Sequence, residues 1–243
     1  METSKTKGIY LLDSFIKSVS SIVYPHHCAY CGRPLEDGYF CEECYKKLPF
    51  IEGNTCSVCG CPVSEGMDVC YECKSSSFYF YKNISIFMYT SKFGDVVHKF
   101  KYHNGRYLAK PFGAFMAERL KKENISTDFI IPVPLHPQKE EERGYNQSGL
   151  LAKYIGRILD ISVLNNVLVR DVYTQSQTKL KKESRRENMC GAFSVKNKEV
   201  IYGKTILLID DIFTTGSTMN ECSRVLLNNG AGGVYSATLA TGR

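Results

Sequence analysis

The chain has 243 residues, 43% hydrophobic and 23% charged, with eleven cysteines and a formal net charge of +6. That length holds one α/β domain of ordinary size plus a small module, and the composition is that of a soluble globular protein. No apolar run approaches the ~18 residues needed to span a bilayer, so no transmembrane segment is expected.

In chain order, Leu12, Phe15, Ile16, Val19 and Ile22 fall at helical spacing, while Asp13, Ser14, Lys17 and Ser18 interrupt any signal-peptide apolar core. Residues 1–27 are therefore expected to form an amphipathic helix packed on the body of the protein. A membrane-surface or partner-binding role is the alternative.

Nine of the eleven cysteines lie between positions 28 and 73. Eight form C-x-x-C pairs: Cys28 with Cys31, Cys41 with Cys44, Cys56 with Cys59, and Cys70 with Cys73. Each pair places two thiolates on one side of a tetrahedron, and two pairs close a structural zinc site. Residues 28–74 are thus expected to be a double zinc ribbon with two zinc ions. Consecutive pairing is the simplest connectivity, crossed pairing stays open, and Cys61 is a ninth thiol able to replace a neighbour. A disulfide scaffold is disfavoured because no export signal accompanies the cysteines. Cys190 and Cys222 read as buried small apolar residues.

The segment from Cys28 to Cys73 holds three basic and eight acidic residues, a net −5 that leaves +11 for the rest of the chain. Four thiolates around each Zn²⁺ make the ribbon more negative still. It should repel a phosphate backbone, and reads as a docking or protein-contact element that unfolds without metal. The excess positive charge elsewhere, including Lys99, Lys101 and Arg106, suits phosphates of a small ligand or of nucleic acid.

From Phe78 to the end the pattern is α/β. Strands are predicted over 84–89, 129–133 and 234–239, and helices over 96–100, 108–120 and 150–159. The run Phe78-Tyr79-Phe80-Tyr81 reads as the packed start of this domain, with base stacking as the alternative. The prolines after Ile131 lead from a buried strand to Lys139, Arg143, Asn146 and Gln147. That is the carboxyl end of a sheet strand, where open α/β folds bind ligands. Residues 170–193 form a long polar, basic connection of the kind that serves as a lid.

Ile206 to Ile209 predict a strand buried on both faces, ending at Asp210 and Asp211. Thr214, Thr215, Gly216, Ser217 and Thr218 follow as a hydroxyl- and glycine-rich turn, with a helix from about Thr218 to Asn228 and a stop at Gly230. Strand, acidic pair, loop and helix N-terminus make a phosphate cradle, with backbone N–H groups and the helix dipole facing the anion. The two carboxylates are placed to accept from a sugar diol. It is not a Walker loop, because no Gly-Lys-Ser/Thr is present. A receiver-type phosphoacceptor would open the domain with its acidic pair, whereas here only about 30 residues remain.

The D-D-x-x-T-T-G-x-T signature resembles that of the type I phosphoribosyltransferases. With the cysteine pairs, Lys101-Tyr102, the PVPLHP…RGYNQ run, T-x-x-Q-x-x-L…R-x-x-N…GAF and the terminal Ala-Thr-Gly-Arg, the chain from Cys28 to Arg243 is similar to the ComF family of competence-associated phosphoribosyltransferase homologues. Gln138, Glu141 and Val172 depart from the more basic residues of the family. The resemblance implies a mainly parallel sheet flanked by helices over 78–243, a type I phosphoribosyltransferase fold behind an N-terminal double zinc ribbon. It implies binding of phosphoribosyl pyrophosphate (PRPP) or a related sugar phosphate with Mg²⁺. Thr214 to Thr218 would hold the 5-phosphate, and Asp210 and Asp211 the ribose hydroxyls. Lys139, Arg143 and Arg185 would face the pyrophosphate, with residues 173–188, including Gln177, as the flap. The acceptor stays open. The resemblance further implies a cytoplasmic role in DNA uptake, with single-stranded DNA and a competence helicase or processing protein as partners. A non-catalytic DNA-handling or PRPP-sensing module is the alternative.

Overall fold

The structure, a computed structural model, describes residues 26–102, 104–172 and 191–242. The expected helix in residues 1–27 lies outside the described residues but for its last two positions, as do Gln177, Arg185 and Cys190.

Two compact units divide the chain, residues 1–48 and 49–243. In the first, β1 (His26–His27) pairs antiparallel with β2 (Pro34–Leu35), and α1 spans Glu42–Tyr45. The turn between the strands is a metal knuckle: Gly32, at φ +78, donates its N–H to the Cys28 carbonyl at 2.8 Å.

The second unit takes in the second half of the cysteine module together with the α/β body. The reason is burial. Cys56, Cys59 and Cys73 share a hydrophobic cluster with Phe80, Leu208, Phe213 and Leu226, so the second half of the cysteine module packs with the α/β body. After α2 (Tyr71–Lys74), β3 covers Asn83–Met88. The Thr90 side chain caps α3 (Ser91–Lys101) by accepting from the Phe93 N–H at 3.2 Å. Next come α4 (Ala109–Lys122) and β4 (Phe129–Pro132). The short α5 (Pro137–Arg143) has proline at its first position and ends at Gly144, whose φ of +77 makes a left-handed cap. Asn146 caps α6 (Gln147–Leu159).

β5 (Leu168–Arg170) and β6 (Phe193–Val195) form an antiparallel pair that joins the two ends of the expected flap, with Arg170 opposite Phe193. Then follow β7 (Thr205–Phe213), α7 (Ser217–Asn228) and β8 (Gly233–Thr241).

The main sheet is parallel, in the order β3-β8-β7-β4. β7 sits inside it, and residues 206–211 are buried without alternation, as a strand covered on both faces requires. This strand runs four residues past the apolar run Ile206–Ile209. β8 keeps supplying partners, pairing Asp210 with Thr238 and Phe213 with Thr241, so the acidic pair lies within the strand rather than at its end. The helix behind it begins one residue earlier than expected, at Ser217.

The aromatic run divides by side: Phe80 is in the core, whereas Tyr79 and Tyr81 are exposed. Among the described residues, no helix is long and apolar enough to cross a membrane.

Candidate functional site

The carboxyl ends of β4 and β7 bring together most of the described residues singled out from sequence. Successive strand residues point to opposite faces, so the two carboxylates have different surroundings. Asp211 Oδ2 lies 2.5 Å from Lys101 Nζ at the end of α3. Burial alone would lower the Lys101 pKa, but the Asp211 charge, the hydrogen bond to Asp211 and the Asp210 charge together outweigh it and the net shift is upward. Asp210 Oδ1 accepts from Ser148 Oγ at 2.9 Å and from the Asp211 N–H at 2.8 Å. Burial, reinforced by the charge of Asp211, pushes the Asp210 carboxyl up to about 7; its two donors and Lys101 pull the other way.

The loop from Thr214 to Ser217 leads into the N-terminus of α7. Thr215 Oγ1 and Ser217 Oγ are 2.7 Å apart, and the Ser217 N–H donates to Thr215 Oγ1 at 3.3 Å. Gly216 has φ +80, and a Cβ there would stand 2.6 Å from the Phe213 ring and 3.0 Å from that of Phe78. Glycine is thus required by the left-handed backbone and by the aromatic packing beneath the loop, besides any close approach of a ligand. The first N–H groups of a helix have no carbonyl partners within it, which is the general basis of anion sites at helix N-termini.

Three cations from other elements lie near one another and near the acidic pair, Arg170 within electrostatic reach of Asp210 and Arg143 within that of Lys101. Lys139 on α5 has its pKa lowered, first by burial and then by the charges of Arg170 and Arg143. Burial also lowers Arg170, while Cys222 and Asp210 raise it; its guanidinium lies over the Phe193 ring at 5.4 Å. Arg143 stacks on Tyr102 at 4.8 Å, its Nη2 donates to the Tyr102 hydroxyl at 3.3 Å, and its Nη1 donates to Gln147 Oε1. Its Nε is buried with no hydrogen-bond partner.

Asn146 and Gln147 hold this arrangement from within. Asn146 accepts from the Ser148 N–H at 3.0 Å and donates to the Val133 carbonyl at 3.0 Å. Gln147 is buried beneath Arg143. Arg106 donates to the Gly144 carbonyl and stacks on Tyr145 at 4.8 Å, and the Tyr145 hydroxyl donates to the Phe100 carbonyl. Lys101 and Arg106, expected as contacts for phosphates of a small ligand or of nucleic acid, are therefore both engaged in the site's own framework.

Ser148 and Arg170 escaped the sequence reading as site residues, and Lys101 was expected against a phosphate rather than against Asp211. Arg170 carried the best signal, as a cation at the end of a short apolar run just before the long polar connection. Gln177 and Arg185 lie outside the described residues.

The cysteines form two tetrads, Cys28/31/41/44 and Cys56/59/70/73, each with its four Sγ atoms within 4.8 Å of one another. The Cys31–Cys41 and Cys59–Cys70 separations are 3.9 and 3.7 Å. Tetrahedral coordination at a Zn–S distance of ~2.3 Å asks for about 3.8 Å, so both tetrads fit zinc. Burial would raise the Cys28 and Cys56 thiols. Backbone N–H donors reverse this, from Cys41, Cys31 and Tyr30 for Cys28 and from Cys59, Cys70 and Val58 for Cys56, giving values of about 6 and about 7. Cys61 is buried beside the second tetrad and outside its four, its thiol raised by burial and by Cys59.

Comparison with known proteins agrees with both halves. A double zinc ribbon domain matches residues 19–74 and a phosphoribosyl transferase domain matches residues 142–243. The chain is 32% identical to Competence protein F of Haemophilus influenzae, over 76% of this chain and 82% of that protein. It is 32% identical to Competence protein ComFC of Bacillus subtilis, over 84% of each. DNA utilization protein YhgH of Escherichia coli K12 is 26% identical, over 88% of this chain and 96% of that protein. The fold is that of a type I phosphoribosyltransferase with an N-terminal double zinc ribbon carrying structural zinc.

Proposed function

Since the chain belongs to the ComF family, we propose that it binds PRPP at the carboxyl end of the sheet and transfers the phosphoribosyl group to an acceptor. The observation that supports this best is the meeting of three kinds of group at one place. These are the Thr214–Ser217 loop at a helix N-terminus, the Asp210–Asp211 pair, and the cations Lys139, Arg143 and Arg170.

The loop takes the 5-phosphate on backbone N–H groups and hydroxyls. Asp211 takes the ribose hydroxyls, exchanging its contact with Lys101 for the sugar. Asp210, buried and bonded to Ser148, sets the strand end from behind. Breaking the bond from the anomeric carbon to pyrophosphate builds positive charge on the sugar and negative charge on the leaving group. Lys139, Arg143 and Arg170 stabilise the latter, with Arg185 and Gln177 as further partners of the same group. The carboxylates of Asp210 and Asp211 are oxygen donors of the kind Mg²⁺ takes, but Asp210 is buried and bonded to Ser148, and Asp211 is committed to Lys101 or the sugar. The ion fits best as a companion of the substrate's own phosphates, where it neutralises the leaving group.

The names of the relatives, competence and DNA utilization proteins, support a role in handling incoming DNA. In that reading the chain works in the cytoplasm, where its +11 outside the cysteine module contacts single-stranded DNA and a competence helicase or processing protein supplies it.

Calorimetry with PRPP and Mg²⁺ tests the central statement. Binding is expected, and Asp211→Asn should weaken it about tenfold, the loss of one charge-assisted contact. A wild-type protein that gives no binding heat removes the PRPP reading.

A further inference from the structure

The second cysteine tetrad and the phosphate loop share a single hydrophobic cluster, in which Cys56, Cys59 and Cys73 lie with Phe80, Phe213 and Met219. The chain leaves Cys73 through α2 and returns under the loop within five residues. Phe78 and Phe80 stack at 5.0 Å, and Phe80 meets Phe213 edge-on at 6.1 Å. The rings of Phe213 and Phe78 are the atoms that a Cβ at Gly216 would strike. Between them, the Tyr79 N–H donates at 2.7 Å to Asn220 Oδ1, in the first turn of α7. The conformation of the loop is therefore set from below by the residues that follow the metal knuckle.

The knuckle is in turn fastened to the sheet. Asn83 of β3 is fully buried; its Nδ2 donates to the Cys59 carbonyl at 3.0 Å and its backbone N–H to the Val58 carbonyl at 2.7 Å. Its Oδ1 accepts from Ser236 Oγ of β8 at 2.9 Å. A Cβ at Gly60 would come within 2.5 Å of the Asn83 carbonyl oxygen, so the turn lies directly on the strand.

We infer that the metal-loaded second tetrad is a positioning element of the phosphate loop. Zinc fixes residues 56–73, these fix Phe78, Tyr79 and Phe80, and those fix Phe213 to Asn220. Loss of zinc there frees the segment and weakens the grip on the 5-phosphate. This rests on the reading of residues 214–217 as the phosphate site. The first tetrad, in the compact unit of residues 1–48, is the internal control.

Coupling between two sites is reciprocal and commonly amounts to 5- to 150-fold. PRPP should therefore hold the second zinc in place. Zinc release from the full-length protein to a chromogenic chelator is followed with and without saturating PRPP and Mg²⁺. The phase from the second site, assigned with Cys28→Ser/Cys31→Ser, is expected to slow about fivefold or more, and the other phase to stay as it was. Independently, Asn220→Ala keeps both zincs and is expected to bind PRPP about fivefold more weakly by calorimetry. PRPP binding with both phases unchanged or equally slowed, or an Asn220→Ala variant that binds as wild type does, overturns the inference. A wild-type protein without PRPP binding overturns the phosphate-site reading and this inference with it.

Discussion

The loop of residues 214–217 and the basic wall of Lys139, Arg143 and Arg170 are built on opposite plans. The loop draws its donors from consecutive residues, its shape fixed by one left-handed glycine over aromatic rings. The wall is assembled from α5 and β5, elements far apart in sequence, and burial together with the crowding of its cations lowers the proton affinity of Lys139. The loop is suited to a phosphate of fixed position, held mainly by backbone that tolerates little substitution. The wall has a surplus of positive charge and long side chains, which suits a group that arrives, changes charge and leaves.

The sharpest test of that contrast removes charge from the wall alone. Lys139→Met with Arg170→Met should weaken PRPP about a hundredfold, at ~1.5 kcal/mol for each charge-assisted contact. Ribose 5-phosphate, which lacks the pyrophosphate, should bind within about twofold of its wild-type affinity. Calorimetry with both ligands gives the ratio. If the two affinities fall together, the wall and the loop are one site, and the division fails.

The converse change is Gly216→Ala. Its Cβ meets Phe213 and Phe78, and alanine at φ +80 adds strain of roughly 1 kcal/mol or more. PRPP and ribose 5-phosphate should weaken alike, by about tenfold, with a lowered melting temperature. An affinity loss confined to PRPP would mean that the loop serves the pyrophosphate.

The same contrast explains which features are legible in the sequence. The turn of residues 214–217 is local: strand, acidic pair, small polar turn and helix start follow in order, so the strand-to-helix turn can be read from the residue pattern alone. So can the cysteine tetrads, whose spacing carries the chemistry. Lys101 meeting Asp211 depends on where α3 ends relative to β7, and no pattern within either segment reports it. The burial of Arg170 is set by its neighbours in the fold. The packing of Cys56, Cys59 and Cys73 with the α/β body is equally non-local. The C-x-x-C spacing is identical in both halves of the module and carries no trace of the different surroundings. β7 outruns its expected length because hydrophobicity ends at Ile209, whereas strand pairing is decided by β8.

The smallest expected effect concerns the charge beneath the wall. Asp210 is within electrostatic reach of both Arg170 and Lys101, and its folded-state pKa of about 7 stands above the ordinary aspartate value of 3.8. Between those values the folded protein holds a proton that the unfolded chain has lost. The contribution of this group to stability should therefore be full below about pH 4, fall as pH rises toward 7, and level off above it. Asn at this position keeps an acceptor for the Ser148 hydroxyl and the Asp211 N–H but never ionises. The melting temperature of Asp210→Asn relative to wild type should thus rise between pH 5 and pH 8. For a net 1 kcal/mol in a chain of this size the rise is about 2–4 °C. A difference that stays constant with pH would mean that Asp210 is charged throughout and already neutralises part of the wall. The surplus of positive charge that distinguishes the wall from the loop would then be smaller than its three cations imply, and the hundredfold loss expected on removing two of them would shrink accordingly.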